Sequence, residues 1–176
     1  MNRFDRSLWP VGATLWLLAL IAPSAAGMAA STAWNDAVRS VPGLEVVRQS
    51  RPSSCGPALI ATLASWRGSP VSEATVIAQA DLGAAGISLA EFARLASLHE
   101  LEGTWYHVES RGLHGLATPY VAHLAKDGGG HYVAVMAQAD DTVVVADPAA
   151  GVRVGPSSVL LGGYSGRAFL LTGGAP

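Results

Sequence analysis

The chain has 176 residues, half of them hydrophobic and 14% charged, with a formal net charge of −2. That is ample apolar material for one core of ordinary domain size, and it excludes a disordered chain. The basic residues are scattered singly, which excludes the Lys/Arg patch that nucleic acid would require, so no nucleic-acid partner is expected.

In chain order, Arg3 and Arg6 come first and precede an apolar run from Val11 to Ala22, after which small residues follow. The run has the length of a signal-peptide h-region and is shorter than the roughly 20 residues of a bilayer span. A signal peptide over residues 1–26 is expected, with a second compatible cut after Ala30. It would place the protein in the periplasm or outside the cell, with an inner-membrane anchor only if the segment stays uncleaved. Residues 27–43 read as a linker, 44–172 as the domain and 173–176 as a tail.

Within the domain, Pro42-Gly43 marks a turn and Leu44 to Val47 a brief extended stretch. Apolar residues at helical spacing predict a helix over Pro57–Trp66, ended by Gly68, with Pro57 tolerated in the first turn. Ser72 caps a second predicted helix, Glu73–Ala80, and the Ser88/Glu91 spacing of a capping box opens a third, Leu89–Leu98. After Gly103 the pattern changes to short β-branched and aromatic runs: 104–108, 120–124, 132–136, 142–146, 152–154 and 168–171. Helices followed by an antiparallel sheet make an α+β fold.

Cys55 is the only cysteine, so no intramolecular disulfide forms. A lone thiol is often a small core hydrophobe. This one stands in Ser53-Ser54-Cys55-Gly56-Pro57-Ala58, where loop enters helix, and the first turn's positive partial charge favours the nucleophilic thiolate. Gly56 would keep the approach to sulfur open. Gln49, six residues earlier, can return its amide to that neighbourhood as an oxyanion donor. Among five histidines, His131 leads as the base and His123 follows. If the runs after Gly128-Gly129-Gly130 pair as a hairpin turning near Gln138–Asp141, His131 and Asp147 meet at one end of adjacent strands. Asp147 would then accept from the ring nitrogen facing away from sulfur, the logic of a catalytic triad. No Cys-x-x-Cys or His-x-x-x-His pair supports a metal site, and no cofactor is expected.

With those residues in place, the sequence resembles the peptidase C39 (bacteriocin-processing) family. The resemblance is carried by Gln49-Ser50-Arg51-Pro52-Ser53-Ser54-Cys55-Gly56-Pro57-Ala58, Gly86-Ile87-Ser88-Leu89, Gly130-His131-Tyr132-Val133-Ala134-Val135 and Asp147-Pro148-Ala149-Ala150-Gly151. It implies a papain-like fold, the roles given above for Gln49, Cys55, His131 and Asp147, and cleavage after Gly-Gly. Ser54 departs from the family, which often has an acidic residue there. The expected form is a stand-alone exported peptidase whose partner is a peptide or protein substrate in the exported compartment. Two other readings stay open: a non-catalytic module that captures a Gly-rich tail, and an amidase or acyltransferase acting on cell-wall peptide.

Overall fold

The computed structural model describes residues 41–126 and 129–172. The expected signal peptide, most of the linker, Gly128 and the tail lie outside the described residues. Three helices come first: α1 (Cys55–Trp66), α2 (Glu73–Gln79) and α3 (Leu89–Leu98). Six strands follow: β1 (Gly103–His107), β2 (Tyr120–Lys126), β3 (Gly129–Ala139), β4 (Thr142–Asp147), β5 (Gly151–Pro156) and β6 (Tyr164–Leu171). They form one antiparallel sheet in the order β1-β6-β2-β3-β4-β5. The α+β arrangement expected from the sequence is the one observed.

The helix starts follow from capping. Ser72 accepts the Thr75 N–H at 3.1 Å, and Ser88 accepts the Glu91 N–H at 3.1 Å, each satisfying a donor the helix cannot pair internally. The capping box at Ser88 is only half formed. The Glu91 carboxylate turns instead to the Asp81 N–H at 2.9 Å and to Arg94, holding α3 to the end of α2.

Alternation along the strands divides the sheet into two buried faces. Val121, Tyr132, Ala134, Val144, Ala146 and Phe169 pack with Leu59, Leu63, Phe92 and Leu95 of the helices. Tyr120, Val133, Val135, Val143 and Val145 face the other way, onto Leu113, Leu160 and Leu161. Leu113 belongs to a 3-10 turn, Ser110–Gly115, and Leu160 to a one-turn helix, α4 (Ser157–Leu160), neither of which the sequence pattern reveals. Burial on both faces explains why Val143, Val144 and Val145 run consecutively without polar alternation.

Phe92 stands at the centre of the helix–sheet layer. Its ring lies 4.9 Å from Tyr132, 5.5 Å from Trp105 and 5.5 Å from Phe169. Complete burial of a side chain of this size contributes about 1.5–3 kcal/mol, and favourable ring geometry adds about 0.5–1.5 kcal/mol. The cluster fixes α3 over the sheet, and two hydrogen bonds fix its first residue and the loop before it: Trp105 Nε1 donates to Leu89 O at 2.8 Å and Tyr132 Oη to Ile87 O at 2.9 Å.

The extended stretch Leu44–Val47 does not join the sheet. Val47 N–H donates to Thr62 Oγ1 of α1 at 3.0 Å, so this segment is tied to the helices.

Candidate active site

Cys55 is the first residue of α1 and is 3% exposed. Its approach loop is cross-braced. Ser54, fully buried, donates through Oγ to Arg51 O at 2.9 Å and accepts the Arg51 N–H at 3.2 Å. Glu73 of α2 accepts the Ser50 N–H through both carboxylate oxygens, at 2.9 and 3.2 Å. Two further bonds tie the loop to the turn after β4: Gln49 N–H donates to Pro148 O at 3.0 Å, and the Arg48 guanidinium donates to Ala149 O. The loop before Cys55 and the Asp147 turn are thereby one unit.

A Cβ at Gly56 would lie 2.5 Å from Ile87 Cδ1, so the glycine admits the Ile87 side chain against the start of α1.

The β3–β4 ladder places His131 and Asp147. It begins at the pair Ala134–Ala146 and continues to Ala139–Thr142, with the turn at Asp140-Asp141 as expected. A register shift between Val135 and Ala137 puts one extra residue on β3. Because side chains alternate with period two, that residue decides which face each strand end presents. Continuing the register past Ala134–Ala146 sets Asp147 opposite Val133, on the face His131 shares. Without the bulge Asp147 would stand opposite Ala134 and point away from His131. The bond observed is His131 Nε2 to Asp147 Oδ1 at 2.8 Å, between side chains belonging to residues 6% and 5% exposed. Asp147 Oδ1 also accepts the Ala149 N–H at 2.9 Å.

The ladder stops before residues 130–132, and Cys55 packs against that stretch of β3. The Gly130 carbonyl lies 4.0 Å from the sulfur, and the Tyr132 N–H acts on it as a hydrogen-bond donor. Burial pushes the Cys55 thiol up. The His131 hydrogen bond, the Tyr132 N–H, the His131 charge and the Gly56 N–H outweigh that and leave it below the ordinary thiol value. Burial likewise pushes His131 down, but hydrogen bonds to Asp147 and Cys55 and the charges of both raise it to about 9. Asp147, pushed up by burial, is drawn below its ordinary value by the His131 hydrogen bond, the Ala149 N–H and the charges of His131 and Lys126. Each group therefore favours the charged form of the next: carboxylate, imidazolium, thiolate.

Gln49 is beside the site but turned inward. Its Nε2 donates to Arg51 O at 2.9 Å and Pro52 O at 3.2 Å, and its Oε1 is buried without a partner. His123, the second histidine considered as base, is held elsewhere. Its Nδ1 bonds Ser165 Oγ at 2.8 Å and its ring leans on Tyr132, while burial first and the His131 charge second lower its pKa. A cleft of about 300 Å³ reaches His131, lined by Gln49, Pro52, Ser53, Ala84, Ala85, Lys126, Gly129, Gly130, His131 and Ala149. Among the described residues no three His, Cys, Asp or Glu side chains converge as metal ligands.

Helices packed on an antiparallel sheet, with a thiol at a helix start facing an imidazole on a strand, define a papain-like domain. The profile of the Peptidase C39 family matches residues 44–174, and the chain belongs to that family. No curated protein matches it. Among solved structures it is similar to a double glycine motif protease from an AMS/PCAT transporter, in complex with the leader peptide (TM-score 0.64, 20% identity, covering 72% of this chain and 89% of that one). It is also similar to the peptidase domain of Streptococcus ComA, a bi-functional ABC transporter involved in a quorum sensing pathway (TM-score 0.66, 22% identity, 73% and 97% covered). A third likeness is to the N-terminal peptidase C39 like domain of the toxin secretion ATP-binding protein from Vibrio parahaemolyticus (TM-score 0.56, 18% identity, 69% and 98% covered).

Proposed function

We propose that the protein is a cysteine peptidase that hydrolyses a peptide bond in an exported protein or peptide. Cys55 is the nucleophile, His131 the proton carrier and Asp147 the group that holds the imidazole. The observation that carries this reading is the continuous chain from the Asp147 carboxylate through a 2.8 Å bond to His131 and on to a thiol of lowered pKa. The thiolate attacks the substrate carbonyl, and the imidazolium gives its proton to the departing amine as the C–N bond breaks. Neutral His131 then takes a proton from water, which attacks the thioester, and returns that proton to sulfur as the C–S bond breaks.

Gln49 enters as the oxyanion donor once its amide leaves the Arg51 and Pro52 carbonyls for the substrate oxygen. Cleavage after Gly-Gly is the narrower form of the proposal. It is supported by family membership and by a cleft lined largely by Gly, Ala, Ser and Pro. Export rests on the signal-peptide pattern of residues 1–26.

The test is the rate of Cys55 alkylation by iodoacetamide as a function of pH, in the wild type and in His131→Ala. Fast alkylation well below the free-thiol pKa of about 8.5, lost in the variant, is expected. An ordinary or inert thiol in both proteins would sink the peptidase reading and leave the peptide-binding module as the better account.

A further inference from the structure

Among the described residues lining the cleft, Lys126 is the one long charged side chain and, apart from His131, the only ionisable one, and the mechanism above does not use it. It ends β2, opposite Gly129, and Gly129 leads within two residues to His131. Its charge reaches Asp147. No hydrogen bond or ion pair among the described residues occupies its ammonium group. The other described residues of the cleft wall are small or uncharged, and none of them is acidic.

Other charges around the triad are already engaged. Asp147 is held by His131 and the Ala149 N–H, and the Glu73 carboxylate by the Ser50 N–H. Two further cations stand by the turn after β4: Arg153 Nη1 lies 3.8 Å from Asp147 Oδ2, and Arg48 grips Ala149 O. The whole chain is slightly acidic, with a formal net charge of −2, so a positive cleft mouth is a local property.

We propose that Lys126 is a specificity-determining residue that selects peptides carrying a carboxylate close to the scissile bond. For substrate choice this rests on the peptidase reading; the field at the cleft does not. The carboxylate can belong to an Asp or Glu side chain or to the peptide's own C-terminus, and both present the same two acceptor oxygens to the ammonium.

Two alkylating reagents separate the inference from the peptidase reading. Iodoacetate carries a carboxylate and iodoacetamide does not, while both attack the same sulfur. The rate with iodoacetamide reports the thiolate; the iodoacetate-to-iodoacetamide ratio reports the charge at the cleft. The ratio is expected to fall about twofold to fivefold in Lys126→Gln, the range of a solvent-exposed ion pair, and further in Lys126→Glu. The differences should shrink as ionic strength rises from about 0.01 M to 0.5 M. Equal ratios in the three proteins, or a difference indifferent to salt, would overturn the proposal.

A synthetic peptide mixture gives the substrate side. It is made with Glu or Gln at the positions flanking each candidate bond, and with free or amidated C-termini. Preferential cleavage of the acidic members, reversed in Lys126→Glu, supports the assignment. Preference confined to free C-termini identifies the terminal carboxylate as the ligand, and preference that ignores the C-terminus identifies the side chain. Cleavage without either preference refutes it.

Discussion

Replacing Asp147 by Asn keeps the shape of the side chain and an acceptor for the Ala149 N–H, while removing the charge beside His131. The bond lost in its charged form is a single contact of 2.8 Å between buried groups, so little solvent compensates for it. A hydrogen bond to a charged group contributes about 1.5–3 kcal/mol. At about 1.4 kcal/mol per decade, the thiolate–imidazolium pair should lose roughly 10- to 150-fold against the neutral thiol–imidazole pair. His131, which stands at about 9, should fall by about one to two units. Iodoacetamide alkylation of Cys55 reads the pair directly. In the wild type the rate climbs where the lowered thiol ionises and then holds a plateau. In Asp147→Asn the plateau should drop by the factor above once the neutral pair prevails, with circular dichroism unchanged and an imidazole NMR titration reporting the lower His131 value. A folded Asp147→Asn protein with a plateau of wild-type height and His131 still near 9 would refute the argument that Asp147 acts through charge.

Stability should follow the same carboxylate. Asp147 is held below its ordinary value in the fold, so its ionised form adds stability above the unfolded pKa of about 4, lost as pH falls through the lowered value. The gap in denaturation midpoint between wild type and Asp147→Asn is expected to be full near neutrality and to close on acidification; a gap that widened would contradict this. Gly56→Ala should cost about 1–3 kcal/mol by overpacking Ile87, and much less in an Ile87→Ala background, which urea unfolding in a double-mutant cycle would detect as coupling. Additive losses would show that Ile87 is not the obstacle. Ser54→Ala removes the acceptor of the Arg51 N–H and should cost about 1–3 kcal/mol, measured the same way.

The helices were legible because their signals are local. Ser72 and Ser88 cap where the spacing places them, and the apolar positions of α3 face the core. Strand cores were legible as β-branched runs, but strand ends were not. The β3 ladder starts at Gly129 and β6 at Tyr164, because pairing extends through residues whose side chains carry no strand signal. The 3-10 turn and α4 span too few residues for any period to show. At the site, the hairpin reading brought His131 and Asp147 together, and the structure does the same. Spacing in the sequence does not contain the bulge on which that meeting depends, nor the inward turn of the Gln49 amide. The reach of Lys126 into the cleft was equally invisible, since only tertiary packing sets a strand's last residue beside a loop.

The bulge in β3 makes the His131–Asp147 pairing a matter of counting rather than of composition. Every residue between His131 and Asp147 can be exchanged for one of similar size while the extra position survives, so a scan of substitutions would pass over it as ordinary core. Removing the codon for Met136 leaves Val135 opposite Val145, Ala134 opposite Ala146 and Val133 opposite Asp147 in a ladder without the bulge, whereas one further residue on β3 with a single bulge kept would set Asp147 opposite Ala134 and turn imidazole and carboxylate to opposite sides of the sheet. A compensating codon removed elsewhere on β3, between Val133 and Ala139, would restore the parity. In a lineage of such chains, selection would therefore act against lengthening of this strand while tolerating loss of its extra residue.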